Sequence, residues 1–175
     1  MNPFSRQRGV GLIEVLIAIL VTALGLLGLA ALQGKAQRAE LESYQRSQAL
    51  LLLQDMASRL RANRIEQDGY VTTKADCSNT STRAGIDLCE WSQSLAGVKE
   101  RLDSRMVGAV IGGEGCIAKV TDNGFAVFEI TVVWQGLAEL TRTNSNACGE
   151  ASITNPGLRR TLTVPVRFFA LTPAS

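Results

Sequence analysis

The stretch "RQRGVGLIEVLIAILVTALGLLGLAAL", Arg6 to Leu32, decides the fold. Its last eighteen residues, Val15 to Leu32, carry no charge, and Thr22 is the only clearly polar one among them. As a helix they would reach about 27 Å, close to the roughly 30 Å of a bilayer's hydrocarbon core. Arg6 and Arg8 precede the run, so the positive-inside rule places the N-terminus in the cytoplasm and the bulk of the chain beyond the inner membrane. One residue breaks the pattern. Glu14 puts a carboxylate inside the start of the apolar run, at a cost of about 2.5–3.5 kcal/mol on insertion scales. A cost of that size implies a partner for the charge.

Working outward from Leu32, no turn signal follows. Residues 33–66 are rich in helix formers, and the next proline after Pro3 is Pro156. Ala49, Leu53, Met56, Leu60 and Asn63 recur at helical spacing, with Leu52 beside them, so the second half is an amphipathic helix whose apolar stripe needs a partner. A single helix over residues 10–66 would run roughly 85 Å. Gly25, Gly28 and Gly34 weaken its middle by about 1 kcal/mol each relative to Ala.

Residues 68–86 are polar and read as a loop. Leu88, Trp91, Leu95, Val98 and Leu102 recur at three or four and predict a short helix. Strands follow. Asn123-Gly124 is a tight-hairpin signal, because both residues tolerate positive φ. Beyond it, Ala126, Phe128, Ile130, Val132 and Trp134 face one way, while Val127, Glu129, Thr131, Val133 and Gln135 face the other, which predicts a strand with one buried face. Leu162, Val164, Val166 and Phe168 alternate in the same way. Pro165 cannot donate to a ladder, so that strand is an edge or carries a bulge. "MVGAVIGGEG", from Met106, is a weaker strand candidate, and 136–159 reads as a constrained loop. The class is α+β, with the stripe of residues 49–60 packed on the apolar face of an antiparallel sheet.

Composition narrows the function. The chain has 175 residues, a formal net charge of +2 and no long block of one sign, which gives no case for nucleic acid. It has no histidine, and Cys77, Cys89, Cys116 and Cys148 form no Cys-x-x-Cys pair, so a metal site is not expected. Four spread cysteines behind a membrane signal suggest two disulfides in an oxidising compartment. Of three possible pairings, Cys77–Cys89 with Cys116–Cys148 is favoured because each closes a short local loop. No Gly-x-Ser-x-Gly, phosphate-binding glycine loop or glycosidase-like acid pair is present, so no catalytic residue, cofactor or enzyme activity is expected. Trp91 and Trp134 are read as core residues.

Three accounts compete for Glu14. A cleavable secretory signal would have a shorter apolar run and no internal acid. A plain anchor tolerates the length but gives the carboxylate no purpose. If the chain is cut after Gly9, however, Val10 becomes a free amine one helical turn before Glu14. The amine of a neighbouring subunit can then neutralise this carboxylate, and the pair fixes the stagger between subunits.

With Arg6-Gln7-Arg8-Gly9 followed by Val10-Gly11-Leu12-Ile13-Glu14, the chain resembles the type IV pilin family. The motif there is a short basic leader, a glycine before the cut and Glu as the fifth mature residue. The resemblance implies cleavage between Gly9 and Val10 by prepilin peptidase, N-methylation of Val10 and an assembly role for Glu14. It implies a ladle-like fold with about four strands in the sheet. Residues 1–9 would be the leader and 10–32 the transmembrane half of the helix. Residues 33–66 would be its amphipathic half. The periplasmic head would be 67–175, with loop and short helix to 105 and sheet from 106. Two departures count against a bulk filament subunit: Val10 stands where Phe is commonest, and Ala31 where major pilins usually carry a proline.

"QALLLLQDMASRLRANR" (Gln48 to Arg64) and "ITVVWQG" (Ile130 to Gly136) resemble the minor pilins of the PilV group, the type IV pilus modification proteins. That resemblance implies a low-copy subunit that primes pilus assembly with other minor pilins and the major pilin, beneath a large tip adhesin. It would reside first in the inner membrane and then in the pilus, and serve twitching motility and cell adhesion. A pseudopilin of type II secretion and a membrane-anchored surface adhesin are the alternatives. The glycines Gly25 to Gly34 mark a stretch that could melt during assembly.

Overall fold

The computed structural model describes residues 11–98, 101–102, 105–106, 110–141 and 146–168. The chain divides into two compact units, one ending at Leu41 and one starting at Glu42. Helix α1 (Leu12–Ala62) gives its first thirty residues to the first unit and the remainder to the second. At 1.5 Å per residue its 51 residues span about 77 Å. It runs without a break through Gly25, Gly28 and Gly34, where an added Cβ would meet nothing.

In the second unit α1 buries Gln45, Ala49, Leu53, Met56, Ala57 and Leu60, a stripe at three-and-four spacing. After Ala62 the chain tightens into a 3₁₀ segment, Arg64–Tyr70, so the long helix stops short of residue 66 and the loop starts later than its composition suggests. Helix α2 (Arg83–Leu95) starts at Thr82, whose hydroxyl accepts from the Gly85 amide at 3.1 Å. It stops before Val98 and Leu102, which continue the apolar spacing. Gly97 adopts φ 68°, its amide donates to the Ser94 carbonyl, and the Val98 amide donates to that of Gln93. That pair of reversed bonds is a Schellman end, and it overrides the periodicity beyond it.

A two-stranded ribbon follows, β1 (Arg101–Leu102) with β2 (Arg105–Met106). The main sheet has three strands in the order β3 (Glu114–Asp122), β4 (Phe125–Gln135), β5 (Arg159–Arg167), all antiparallel. Three strands therefore stand where about four are expected. The weaker candidate "MVGAVIGGEG" makes no strand of its own among the described residues: Met106 closes β2, Val110 to Gly113 form a bend and turn with Gly112 at φ 60°, Glu114 and Gly115 open β3, and residues 107–109 lie outside the described residues. The β3–β4 hairpin turns on Asn123 and Gly124, at φ 50° and 81°, as two-residue hairpins favour.

The direction of the backbone groups follows from the register. Ile117 exchanges both its backbone bonds with Thr72, on the outer side of β3, at 2.8 and 2.9 Å. Ile117 faces Ile130 across the β3–β4 ladder, so Ile130 and the other even residues of β4 turn their N–H and C=O groups toward β5. Their partners Arg160, Leu162, Val164 and Val166 bond inward, which leaves Thr161, Thr163 and Pro165 pointing to the open edge. Pro165 thus lacks its N–H at a position where no ladder bond is lost.

Phe128, Ile130, Val132 and Trp134 meet the α1 stripe and α2 in a single core with Tyr70, Leu88, Trp91 and Leu95. The opposite face of β4 is buried too. Val133 lies under the Cys116–Cys148 disulfide, and Thr131 bonds Thr163 at 2.9 Å and Asn146 at 3.4 Å. β4 is therefore covered on both sides, because the disulfide pins the segment around Cys148 over the face expected to be solvated. The Cα–Cα separations are 6.0 Å for Cys116–Cys148 and 4.3 Å for Cys77–Cys89.

Candidate functional site

Every residue from Gly11 to Leu41 is exposed, including Leu16, Leu20, Leu24, Leu27 and Leu32. This part of α1 is the one described helix apolar and long enough to cross a membrane, with a mean hydropathy of 2.8 over its best window. Thr22 hides its hydroxyl by donating to the Ala18 carbonyl at 2.7 Å, the usual way a threonine is carried through an apolar helix. A shallow groove runs along one face, lined by Glu14, Ala18, Ile19, Thr22, Ala23 and Leu26. All of these belong to one helix, so the groove is a surface strip and not a cavity.

Glu14 opens that strip from the first turn of α1, where its amide donates to the Gly11 carbonyl at 2.9 Å. A carboxylate in a first turn sits at the positive end of the helix dipole. Its side chain has no ion-pair partner among the described residues. Gly9 and Val10 lie outside the described residues.

The head supplies two polar clusters that hydrophobic periodicity does not reveal. In the first, Asp87 is 1% exposed and accepts from Arg59, Arg83 and the Tyr70 hydroxyl, at 3.0, 2.9 and 2.6 Å. Arg59 also reaches Glu90 at 2.6 Å and Asp55 at 3.0 Å, so α1, the 3₁₀ segment and α2 share one network. Burial alone would lower the Arg59 pKa, but the bonds to Glu90, Asp87 and Asp55 prevail and push it up. Tyr70 is pushed up to about 12, by burial first and then by its bond to Asp87.

In the second cluster, Glu42 accepts from the Leu137 amide at 2.8 Å and from the Arg160 fork at 3.1 and 3.2 Å. Burial tends to raise its pKa. The Arg160 fork and the Leu137 and Ala138 amides outweigh that and hold it below the ordinary carboxylate value. The available signal was Glu42 standing four residues before Arg46 on a predicted helix, but its true partner is 118 residues away.

Comparison with known families accords with this arrangement. Residues 4–30 match the model of the prokaryotic N-terminal methylation motif. Residues 31–96 match the model described as type IV pilin Tt1218. The two matches meet inside α1 and end just past α2, so the sheet lies outside both. No curated protein and no solved structure matches the chain. With its exposed apolar helix headed by one carboxylate, the chain is type IV pilin-like over residues 4–96, where a prepilin methylation motif leads into a Tt1218-like pilin segment.

Proposed function

We propose that the chain is a minor pilin of the PilV kind, cut between Gly9 and Val10 by prepilin peptidase, methylated on Val10 and built into a pilus together with other minor pilins and the major pilin. The observation that carries this reading is Glu14. It lies at the head of a helix with no other charge before Lys35 and has no partner among the described residues. An unpaired carboxylate in such a setting demands a cation from elsewhere, and a cut after Gly9 supplies one on each neighbouring subunit. Before assembly the same helix holds the subunit in the inner membrane, with its head in the periplasm.

Two measurements test the proposal. Mass analysis of the mature N-terminus should show loss of residues 1–9 and one methyl on Val10; a mature chain beginning at Met1 refutes it. Glu14→Ala should leave the protein in the membrane fraction and remove it from sheared pili. Normal amounts of the variant in pili would refute the assigned role. A deletion strain that loses exoprotein secretion and keeps twitching motility would move the chain to a type II secretion pseudopilus.

A further inference from the structure

Where β4 ends and β5 begins, the head has a recess of about 480 Å³. Trp134, Leu140 and Leu162 form its apolar wall, and Glu42, Arg46 and Arg160 its charged rim. Trp134 and Arg160 are cross-strand partners and share one face of the sheet. Glu42 and Arg46 stand one turn apart on α1.

Three of the four charged residues that line the recess are committed, and one of them, Arg159, is 5% exposed and reaches Glu150 at 3.3 Å. Arg160 gives Nε and Nη2 to Glu42, Nη2 also to the Ala138 carbonyl and Nη1 to that of Gly157. Glu42 accepts from Arg160, Leu137 and Ala138. Arg46 is different: it is exposed and has no carboxylate in ion-pair range among the described residues. In the wall of the same recess the Trp134 indole is 3% exposed, and its Nε1–H has no acceptor among the described residues. The other tryptophan shows the contrast, since Trp91 Nε1 donates to the Leu52 carbonyl at 2.9 Å. Native interiors seldom leave an N–H orphaned, and such a group points to something that completes the site. Both unmet groups are donors and one is a cation. A carboxylate, with two oxygens in a plane, satisfies both.

We propose that this recess receives the carboxylate of an aspartate or glutamate from an adjoining subunit. Arg46 forms the ion pair. Trp134 lines the recess and turns its unmet Nε1–H toward the second carboxylate oxygen. The source of the carboxylate rests on the assembly role proposed above; the binding chemistry does not.

The test is an indole ¹⁵N NMR titration of the full chain in detergent micelles. The added ligand is propionate, which mimics a glutamate side chain, with propionamide and sodium chloride as controls. Trp134→Phe assigns the two indole signals. Propionate should shift the Trp134 signal saturably and leave Trp91 in place, and Arg46→Gln should weaken the apparent affinity about tenfold. No shift, an equal shift with propionamide, or an unchanged affinity in Arg46→Gln overturns carboxylate binding. In cells, Arg46→Glu should reduce the amount in sheared pili, with Glu14→Ala as the reference. Normal incorporation of Arg46→Glu beside absence of Glu14→Ala overturns the subunit source and leaves the assembly role standing. Normal incorporation of Glu14→Ala overturns the assembly role, and the titration still decides the binding chemistry.

Discussion

Tyr70 keeps its proton because its hydroxyl is buried and donates to the Asp87 carboxylate at 2.6 Å. Its pKa rises from 10.0 to about 12 on folding, so the folded state holds the proton more tightly than the unfolded one. The stability this gives is intact below pH 10 and is lost as pH rises toward 12. Chemical denaturation across that range should show the fall, and Tyr70→Phe should flatten it. Asp87, on the other end of the bond, serves two arginines as well. Asp87→Ala leaves Tyr70 and part of Arg59 without an acceptor in a closed site, at an expected cost of about 2–3 kcal/mol in urea unfolding. Glycine at 115 is fixed by packing: a Cβ there would overlap the Trp91 ring. Gly115→Ala should cost about 1–3 kcal/mol.

At the scale of elements, the sequence was most legible where one physical signal acted alone. The uncharged run gave the start of α1, the three-and-four stripe its buried face, and Asn123-Gly124 the hairpin. It was least legible where a local signal was overruled. Val98 and Leu102 kept the helical period, yet Gly97 ended α2 by leaving the right-handed region. Val133 on the "outer" face of β4 was the clue to its second cover, but only the placement of Cys148 shows what covers it. Glu14 stood out because charge is so rare around it. Arg46 and Trp134 did not, because the recess they share joins residues about ninety positions apart. Each disulfide should contribute to the head on its own. Replacing both members of Cys77–Cys89 or of Cys116–Cys148 by Ala should cost about 3 kcal/mol or slightly more, with the 32-residue span the larger. Glu42 ties α1 to the turn after β4. Its lowered pKa means a contribution present above its ordinary value of 4.5 and lost as pH falls through the folded value. Glu42→Gln should therefore lower the stability of the head near neutrality and remove part of its acid sensitivity.

Over the whole molecule, the two units answer to different solvents. The first, through Leu41, buries none of its described residues, whereas the second has its own core. A chain lacking residues 1–41 should stay soluble without detergent and unfold in a single cooperative transition by calorimetry, while the full chain should need micelles. The outer edge of β5, which no other described strand covers, carries a further consequence. A row of unpaired amides and carbonyls invites a neighbouring chain to extend the sheet, and crowding raises that risk. With Pro165 third from the end of β5, an intruding strand meets a position that has nothing to donate. Zippering between heads is interrupted there, so the ladder a neighbour could add is cut to the short run before Pro165.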